Sequence, residues 1–374
     1  MKKRLFALVS AVLALMMVAG CSGAGSSEGT VDADGNWVWE RKVEIVCPWG
    51  VGGGADATIR PMADLLTKKL GVQVQVNNIE GAGGVNGVEI ATIFAALGSR
   101  VTLLEQANRL LESMDPMISE QMEANLRSKG IEVHCNVQVM EIKDRGNDTV
   151  SVNYRCERGW KESPADRVLV AVGRRPNMSK VLADDCQVQL ENGRPLIKGT
   201  YRTTQENVYA IGDTVARKRL AHVAASHAAY LVENLAGRGH RMQLSVVPNG
   251  MYVVLPVVPT CIYTEPEIAA VGFTENDARL YNMKIKCGVA YMTENGKALL
   301  ARNSRGFVRL IFEAYTNTLI GAQIMCARAT DMIGEMATAI ANGLTAYQLS
   351  TAMRAHPTYS EAITEAIKDA LKNG

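Results

Sequence analysis

The sequence lacks an excess of charge of either sign. Its 40 Lys and Arg residues and 38 Asp and Glu residues give a net charge of +2 at pH 7. No basic patch is interleaved with aromatic residues, which make up only 5% of the chain. A nearly neutral chain of this kind argues against a nucleic-acid-binding protein.

The chain also lacks closely spaced cysteines, internal repeats and a long apolar run. None of its 8 cysteines forms a Cys-x-x-Cys pair, and no pair suggests a zinc or other metal site. The apolar run at residues 5–17 is shorter than the ~20 residues that a transmembrane helix needs. The remaining composition, with 47% apolar residues, is ordinary for a globular protein, and the length of 374 residues suggests two or three domains.

The first 35 residues have the pattern of a targeting segment. Basic residues at positions 2–4 precede the apolar run, which has the length of a signal-peptide hydrophobic region. The sequence VAGC that ends at Cys21 resembles a bacterial lipobox, in which the cysteine is acylated, so Cys21 is the predicted lipidation site. Residues 22–35 are rich in Gly, Ser and acids, which predicts a flexible tether. The alternative for the apolar run is a short buried helix.

The pattern of residues 36–84 predicts the opening strand, helix and strand of an α/β domain. Val43–Cys47 is a predicted buried strand, and Asp56 follows a glycine-rich loop as the cap of a helix that ends at Gly71. Alternating valines after Gly71 predict the second strand. This order, followed by GAGG, resembles the start of the tripartite tricarboxylate transporter substrate-binding receptors, which implies loops lining a carboxylate-binding cleft. A generic α/β opening with glycine turns is the alternative.

Residues 80–105 have the pattern of a dinucleotide-binding turn, helix and strand. A glycine-rich turn is followed by apolar residues at helical spacing, by the short apolar strand Val101–Leu104 and by Glu105. Glycines let the backbone approach a pyrophosphate, and a helix N-terminus attracts its charge. An acid at the end of the second strand can bond a ribose hydroxyl, so Glu105 is the predicted ribose ligand. The alternative for Glu105 alone is a solvated acid at a strand end.

From Val85 onward the chain resembles the NAD-binding domain of the dihydrolipoamide dehydrogenase family of pyridine nucleotide–disulfide oxidoreductases. The glycine fingerprint of that family falls on Ala82, Gly84 and Gly87, with Ala82 where the first glycine is expected. The resemblance implies that Gly84, Gly87 and Glu105 bind NAD. The negative charge of Glu105 favours NAD over NADP.

The resemblance continues through the rest of this domain. The pattern predicts a helix over Pro116–Gly130 and strands over Val133–Val139, Val150–Tyr154 and Val168–Val172. The family implies that Val139 contacts the adenine side of NAD. It also implies that Gly173, in the sequence AVGRRPN, approaches the nicotinamide half.

The sequence TTQENVYAIGD at residues 203–213 resembles the second flavin motif of the same family. A predicted apolar strand over Val208–Ile211 ends in Gly212, so that Asp213 can reach the ribityl hydroxyls of FAD. The segment RLAH resembles the stretch that lies against the isoalloxazine edge, with an arginine in place of the usual methionine. The implied FAD residues are Asp213, Arg219, Leu220, Ala221 and His222. As a lone feature, His222 would be a structural histidine.

The last third of the chain resembles the dimerisation domain of the family. The predicted elements are a first strand pair within Pro259–Gly272, strands over Gly306–Phe312 and Leu319–Met325, and helices over Met332–Asn342 and Tyr347–Arg354. The resemblance implies that His356 is an acid–base residue, held by Glu361 and supplied to the active site of the partner subunit. Dithiol–disulfide exchange needs a base to form a thiolate, and a carboxylate fixes the imidazole tautomer. The alternative for the His-Pro pair alone is a structural turn.

The predicted fold is α/β, with a Rossmann-like NAD-binding domain, a remnant FAD-domain segment and a C-terminal α+β dimerisation domain. The predicted boundaries are a signal peptide at 1–21, a linker at 22–35, a receptor-like fragment at 36–84, the NAD domain at 85–178, the FAD remnant at 179–244 and the dimerisation domain at 245–374. The first flavin motif and the redox cysteines of the family are not found in the sequence. The chain is therefore predicted to be a chimera, joined at the glycine-rich loop.

The predicted function is an FAD- and NAD-dependent disulfide oxidoreductase by descent, converting dihydrolipoamide and NAD to lipoamide and NADH. Because redox cysteines are missing, we expect an incomplete FAD site and no turnover by this chain alone. We expect a homodimer through residues 245–374 and a lipoamide-type disulfide substrate. The lipobox implies a cell-envelope lipoprotein that meets the membrane only through its lipid anchor, whereas the dehydrogenase part would be cytoplasmic in its family. The alternative is a membrane-anchored periplasmic binding protein for tricarboxylates or related organic acids.

Overall fold

The structure, a computed structural model, describes most of the chain after residue 83 and four short strands before it. The described residues are 29–31, 37–39, 43–46, 74–77, 84–146, 149–172, 176–178, 181–183, 185–216, 218–238 and 257–372. Cys21, Ala82, Gly173 and the helix predicted between residues 56 and 71 lie outside them. By its contacts the chain divides into two units, one of residues 1–48 and 58–78 and one of residues 49–57 and 79–374.

The first unit contains two pairs of short strands. Strands β1 (Gly29–Val31) and β2 (Trp37–Trp39) are antiparallel, whereas β3 (Val43–Val46) and β4 (Val74–Asn77) are parallel. A parallel pair needs a long crossover connection between its strands. Both strands predicted in this part are therefore present, with the parallel pairing that a strand–helix–strand order gives.

The second unit begins with two helices and a pair of parallel strands. These elements are α1 (Val85–Ala96), β5 (Thr102–Leu104), α2 (Pro116–Ser128) and β6 (Glu132–His134). Helix α2 begins where the sequence predicts, because the carboxylate of Asp115 accepts a hydrogen bond from the Met117 N–H and a proline occupies the first turn. Ile118, Met122 and Leu126 recur at four-residue spacing on α2 and are fully buried.

Two strand predictions in this part are wrong. The predicted strand Val133–Val139 is broken at Asn136, whose φ of 56° ends the extended backbone, and the chain resumes as a strand of a different sheet at Gln138. The segment Val168–Val172 forms no strand in the described part of the chain. A strand needs a hydrogen-bonded neighbour, and the sheet of β5 and β6 has only those two strands among the described residues.

A three-stranded antiparallel sheet follows, formed by β7 (Gln138–Gly146), β8 (Thr149–Cys156) and β9 (Gly159–Ala165). The predicted strand Val150–Tyr154 is confirmed within β8. Val152 and Tyr154 of β8 are buried, whereas every residue of β7 is exposed. The edge strand β7 is therefore solvated on both of its faces, and the buried side chains of this sheet lie on its central strand β8.

Residues 181–238 form two small ladders, a turn and a helix. The ladders pair β10 (Leu190–Glu191) with β11 (Arg194–Pro195), and β12 (Ile197–Lys198) with β13 (Arg202–Thr203). A 3₁₀ turn at Gly212–Thr214 leads to α3 (Ala221–Leu235). The predicted strand Val208–Ile211 is wrong, since it makes only an isolated bridge from Tyr209 to Arg202. Its neighbour β13 is only two residues long and already pairs with β12, and the bridge to Tyr209 does not extend beyond one residue pair.

The C-terminal part is a five-stranded antiparallel sheet with helices. The sheet has the order β14-β15-β18-β17-β16, and its strands are β14 (Thr260–Ile262), β15 (Glu267–Gly272), β16 (Ile285–Tyr291), β17 (Phe307–Glu313) and β18 (Leu319–Cys326). The helices are α4 (Glu275–Leu280), α5 (Gly296–Leu300), α6 (Ala329–Ala341), α7 (Ala346–Ser350) and α8 (Glu361–Lys372). The α+β architecture predicted for this part is confirmed, although α7 ends earlier than the predicted Tyr347–Arg354.

Both faces of this sheet are covered. One face packs against α6 and α8, and every residue of the central strand β18 is buried. On the other face Ile262, Ile268 and Phe307 pack against apolar residues of α1 and α2. Within the described residues, no helix is long and apolar enough to span a membrane. The C-terminal sheet is thus the layer against which α1 and α2, the helices of the predicted NAD-binding domain (called the NAD-type helices below), pack.

Candidate functional site

The glycine turn and the predicted ribose acid lie next to each other. Gly84 caps the N-terminus of α1 with a φ of 77°, a conformation that favours glycine. A Cβ on Gly84 would lie 2.8 Å from Oε2 of Glu105, so only glycine leaves room for this carboxylate. Glu105 follows β5, and its Oε1 accepts a hydrogen bond from the Ala107 N–H at 2.9 Å. An acid beside a glycine turn at a helix N-terminus fits the ribose and pyrophosphate of a dinucleotide.

Gly87 lies where α1 meets β5. A Cβ at this position would lie 3.5 Å from Cδ1 of Leu103 and 3.9 Å from Cβ of Ala171, which are ordinary van der Waals distances. The third glycine of such turns serves close helix–strand packing, and here an alanine would also fit. The segment around Ala171, although not a strand, lies beside α1.

Of the other two predicted NAD residues, only Val139 can be described. It lies on β7 and is exposed. The chain leads into β7 directly from the acid, because the Val137 N–H donates a hydrogen bond to the Glu105 carbonyl at 3.1 Å. Val139 therefore lies two residues after the residue whose N–H contacts the Glu105 carbonyl.

The sequence analysis missed a buried carboxylate on α1. Glu89 is only 4% exposed, and its Oε1 accepts a hydrogen bond from the Tyr263 N–H of the C-terminal part at 2.8 Å. A buried acid must be hydrogen-bonded to be tolerated. The signal in the sequence was an acidic residue among the apolar residues Val88, Ile90 and Ala91 of the predicted helix.

The predicted flavin residues surround the turn that precedes α3. Gly212 has a φ of 67°, and a Cβ there would lie 3.1 Å from Cβ of Ala224, so the turn packs directly on α3. Asp213 follows and is exposed. His222 lies in the first turn of α3 with Nε2 2.9 Å from the Pro259 carbonyl. Because Gly212 has no side chain, the turn packs closely on α3 and Asp213 is held beside this helix. Such an exposed carboxylate could accept hydrogen bonds from hydroxyl groups of a ligand.

Arg219 lines a cavity of about 770 Å³ beside this turn. We call residues 181–238 the flavin-type segment. The cavity lies between Arg219 of this segment and its hairpin of β10 and β11. Its lining residues are Pro176, Glu191, Asn192, Arg194, Pro195, Leu196, Ile197, Val215 and Arg219. Leu220 and Ala221 continue from Arg219 into α3. Of the predicted flavin residues, Arg219 lines this cavity, whereas Asp213, Leu220, Ala221 and His222 are not among its lining residues.

His356 and Glu361 form a hydrogen-bonded pair. Nδ1 of His356 lies 2.9 Å from Oε1 of Glu361, and Oε2 of Glu361 accepts a hydrogen bond from the Thr358 N–H at 2.8 Å. The Thr358 bond first, and the His356 contact second, lower the pKa of Glu361. The ionised carboxylate favours the imidazole tautomer with its proton on Nδ1. Nε2 is then free to take a proton, on a side chain that is 78% exposed.

The described cysteines are free thiols with no sign of activation. They are Cys135, Cys156, Cys186, Cys261, Cys287 and Cys326. Burial raises the pKa of Cys326 to about 12, and burial also raises the pKa of Cys135, Cys261 and Cys287. A nucleophilic cysteine needs the opposite shift. In the described part of the chain, no group of three His, Cys, Asp or Glu residues could hold a metal ion.

Two family models match the chain. Residues 56–228 match the pyridine nucleotide-disulphide oxidoreductase model, and residues 258–367 match the dimerisation domain of the same family. The chain belongs to the pyridine nucleotide-disulphide oxidoreductase family. The first match begins at residue 56, earlier than the boundary predicted from the resemblance at residue 85.

Relatives and solved structures agree with this assignment. The chain is 32% identical over 285 residues to a dihydrolipoyl dehydrogenase of Bacillus subtilis, and 33% identical over 290 residues to that of Geobacillus stearothermophilus. These alignments cover 76% and 77% of this chain and 58% and 59% of the relatives.

Two solved structures are similar in fold. LpdA from Mycobacterium tuberculosis has a TM-score of 0.67 at 24% identity, covering 78% of this chain and 60% of that one. The HOCl-induced flavoprotein disulfide reductase RclA from Escherichia coli has a TM-score of 0.67 at 25% identity, covering 78% and 63%. The chain therefore spans about three-fifths of the length of these relatives. The predicted fold class and family are confirmed, whereas the lipoprotein and the chimera stay predictions.

Proposed function

We propose that this chain carries the NAD-binding and dimerisation parts of a dihydrolipoyl dehydrogenase-like oxidoreductase. The reaction of such an enzyme oxidises dihydrolipoamide with NAD and forms lipoamide and NADH. The observation that carries the proposal is the position of the Glu105 carboxylate beside Gly84 at the N-terminus of α1, where a Cβ added to Gly84 would lie 2.8 Å from Oε2 of Glu105. This arrangement builds the ribose end of a dinucleotide site. The matches to both parts of the family support the same reading.

NAD, when bound, would accept the hydride. Its adenine ribose hydroxyls would donate to Glu105, and its pyrophosphate would lie at the N-terminus of α1, where Gly84 exposes the backbone. Gly87 lies in the first turn of α1, where this helix meets β5. Val139 would contact the adenine side, and Gly173 the nicotinamide side, as the family resemblance implies.

His356 would act as the base for the dithiol. The neutral imidazole donates its Nδ1 proton to Glu361, so Nε2 can take a proton from a thiol of the substrate and leave a thiolate. The exposed position of His356 suits a role in the active site of a second subunit. We therefore propose a homodimer through residues 245–374 with a lipoamide-type disulfide as the substrate.

The flavin site of this chain would be partial. Asp213 would accept hydrogen bonds from ribityl hydroxyls, with Arg219 to His222 following it in the chain, and FAD would supply the electron relay to NAD. The sequence has no cysteine pair at the spacing of the redox disulfide. We therefore propose that FAD binding is weak and that this chain alone does not turn over.

We also propose that residues 1–84 are a lipoprotein leader with acylation at Cys21, followed by a receptor-like segment. The parallel pairing of β3 and β4 fits a strand–helix–strand segment of either family, and the oxidoreductase match that begins at residue 56 overlaps the end of this segment. One genomic amplicon that spans codons 60–110 is expected if the joined gene exists, and two separate genes without such an amplicon would refute the chimera. The family matches favour the oxidoreductase over the organic-acid receptor.

NADH titration followed by fluorescence tests the proposed cofactor site. We expect saturable binding with a preference over NADPH, a loss of about tenfold in affinity for Gly84→Ala, and loss of the NADH preference for Glu105→Gln. Gly98→Ala is the matched control, because Gly98 also has a positive φ but a Cβ there meets nothing within 4 Å. Absence of saturable binding, or an equal loss in Gly98→Ala, would refute the assignment.

A further inference from the structure

A histidine that the proposed chemistry does not use holds the flavin-type turn. His227 lies on α3, and its Nδ1 accepts a hydrogen bond from the Gly212 N–H at 3.3 Å. Gly212 is the residue directly before Asp213. The contact therefore joins α3 to the backbone that presents the predicted ribityl ligand.

The fold fixes this histidine from two sides. Ala224, which contacts Gly212, lies three residues before His227, so both face the turn from the same side of α3. The imidazole stacks on the ring of Tyr201, with centroids 4.4 Å apart, and Tyr230 meets Tyr201 edge-on. Tyr201 in turn accepts the Ala210 N–H through its carbonyl, so the chain on both sides of the turn is held by this cluster.

The direction of the hydrogen bond sets the protonation state of His227. Nδ1 can accept from Gly212 only when it carries no proton, so the imidazole is neutral with its proton on Nε2. Protonation would put a second N–H donor opposite the Gly212 N–H and break the bond. Burial lowers the pKa of His227, which favours the neutral form. The titratable side chain stacked on His227 is the phenol of Tyr201, whose pKa is raised by burial, and Tyr230 lies on the far side of that contact against Tyr201. Asp213 is on the turn itself.

We propose that His227 is a positioning residue whose neutral imidazole holds the Gly212–Asp213 turn, so that presentation of Asp213 to a cofactor depends on pH. The link to the cofactor rests on the proposed function, whereas the hydrogen bond can be tested on the chain alone. Above the ordinary histidine pKa of about 6.5 the turn is held in both free and bound forms. As the pH falls through the lowered pKa of His227, the turn is released.

The test is a pH series of amide exchange at Gly212, measured by NMR on the full chain without flavin and corrected for intrinsic exchange. In the wild type we expect exchange to be about tenfold faster at pH 5 than at pH 7.5, the order expected for losing one buried hydrogen bond. His227→Asn keeps an acceptor near the Nδ1 position that does not titrate, so exchange should stay slow at both pH values. His227→Leu removes the acceptor, so exchange should be fast at both.

The matched control is His134→Asn, which changes a histidine on β6 and should follow the wild type. Long-range ¹⁵N–¹H correlation should show the Nε2–H tautomer for His227 at pH 7.5, and the chain has only 5 histidines to assign. Slow exchange in His227→Leu, or a proton on Nδ1, would overturn the proposal. A failure of flavin or NADH to bind would count against the proposed function and would leave this result unaffected.

Discussion

The dimerisation part and the flavin-type segment match the same family but are built differently. Residues 257–372 form a five-stranded sheet with helices on one face and the NAD-type helices on the other. Residues 181–238 form two short ladders and α3. Among the residues of α3, only Val223 is buried. None of the apolar clusters among the described residues includes a residue of that segment.

The difference shows that a sequence match and a packed core are separate properties. The dimerisation sheet is covered by α6 and α8 on one face and by α1 and α2 on the other. Burial of both faces therefore stabilises its strands. The flavin-type segment has apolar residues on α3 without a second layer against most of them. Its geometry therefore depends on local hydrogen bonds such as that of Gly212, and its predicted strand does not form.

The largest expected effect is in the dimerisation core. Phe307 is fully buried where the sheet meets the NAD-type helices, so Phe307→Ala should lower the free energy of unfolding by about 4 kcal/mol. Denaturant unfolding measures it. Tyr315→Ala is the control, since its side chain is 70% exposed and its loss should cost less than about 0.5 kcal/mol. Equal effects in the two variants would contradict the comparison.

The next effect concerns the ion pair that joins the NAD-type helix to the sheet. Nη1 of Arg309 lies 3.1 Å from Oδ1 of Asp115, which is fully buried at the start of α2. Arg309→Met would leave that carboxylate without its cation and should cost about 3 kcal/mol. The double variant with Asp115→Asn should lose less than the sum of the single variants, because the pair is lost only once. Additive losses in unfolding free energy would show that the contact carries no coupling.

Much of the fold could be predicted because its signals are local. Helices α1 and α2 have periodic apolar faces with a glycine turn or an aspartate cap, and β17 and β18 are mostly apolar, with Arg309, Glu313 and Gln323 as the exceptions. The failures at Val168–Val172 and Val208–Ile211 have one cause, namely that strand formation depends on a neighbour and the sequence of the strand does not report whether one is present.

The candidate site shows the same limit. Spacing and resemblance predicted Gly84, Glu105 and the His356–Glu361 pair as site residues. The structure brings the members of each group together, because they lie close in sequence or in one strand–helix–strand segment. Glu89 and His227 were missed, since each acts on a backbone N–H that only the tertiary structure brings near. Their partners are Tyr263, 174 residues away, and Gly212, 15 residues away.

A smaller effect is expected at Glu361. Its lowered pKa means that its ionised form contributes stability above the ordinary glutamate pKa, and that this contribution is lost as the pH falls through the lowered value. His356→Ala should raise the pKa of Glu361 only in part, because the Thr358 N–H, the larger cause, remains. ¹³C NMR titration of the carboxyl measures it, with His134→Ala as a control. A full return to the ordinary pKa would assign the whole shift to His356.

The smallest effect is expected on the outer face of α3, and it decides whether the flavin-type segment lacks a core. Val232 and Leu235 are 58% and 61% exposed, so replacing both with Ser should change the unfolding free energy by less than about 0.5 kcal/mol. Val223→Ser, on the buried face of the same helix, is the matched control and should cost about 1 kcal/mol or more. If the exposed pair cost as much as Val223, α3 would be covered by another layer of the protein. Both parts would then have packed cores, and they would differ only in which elements cover them.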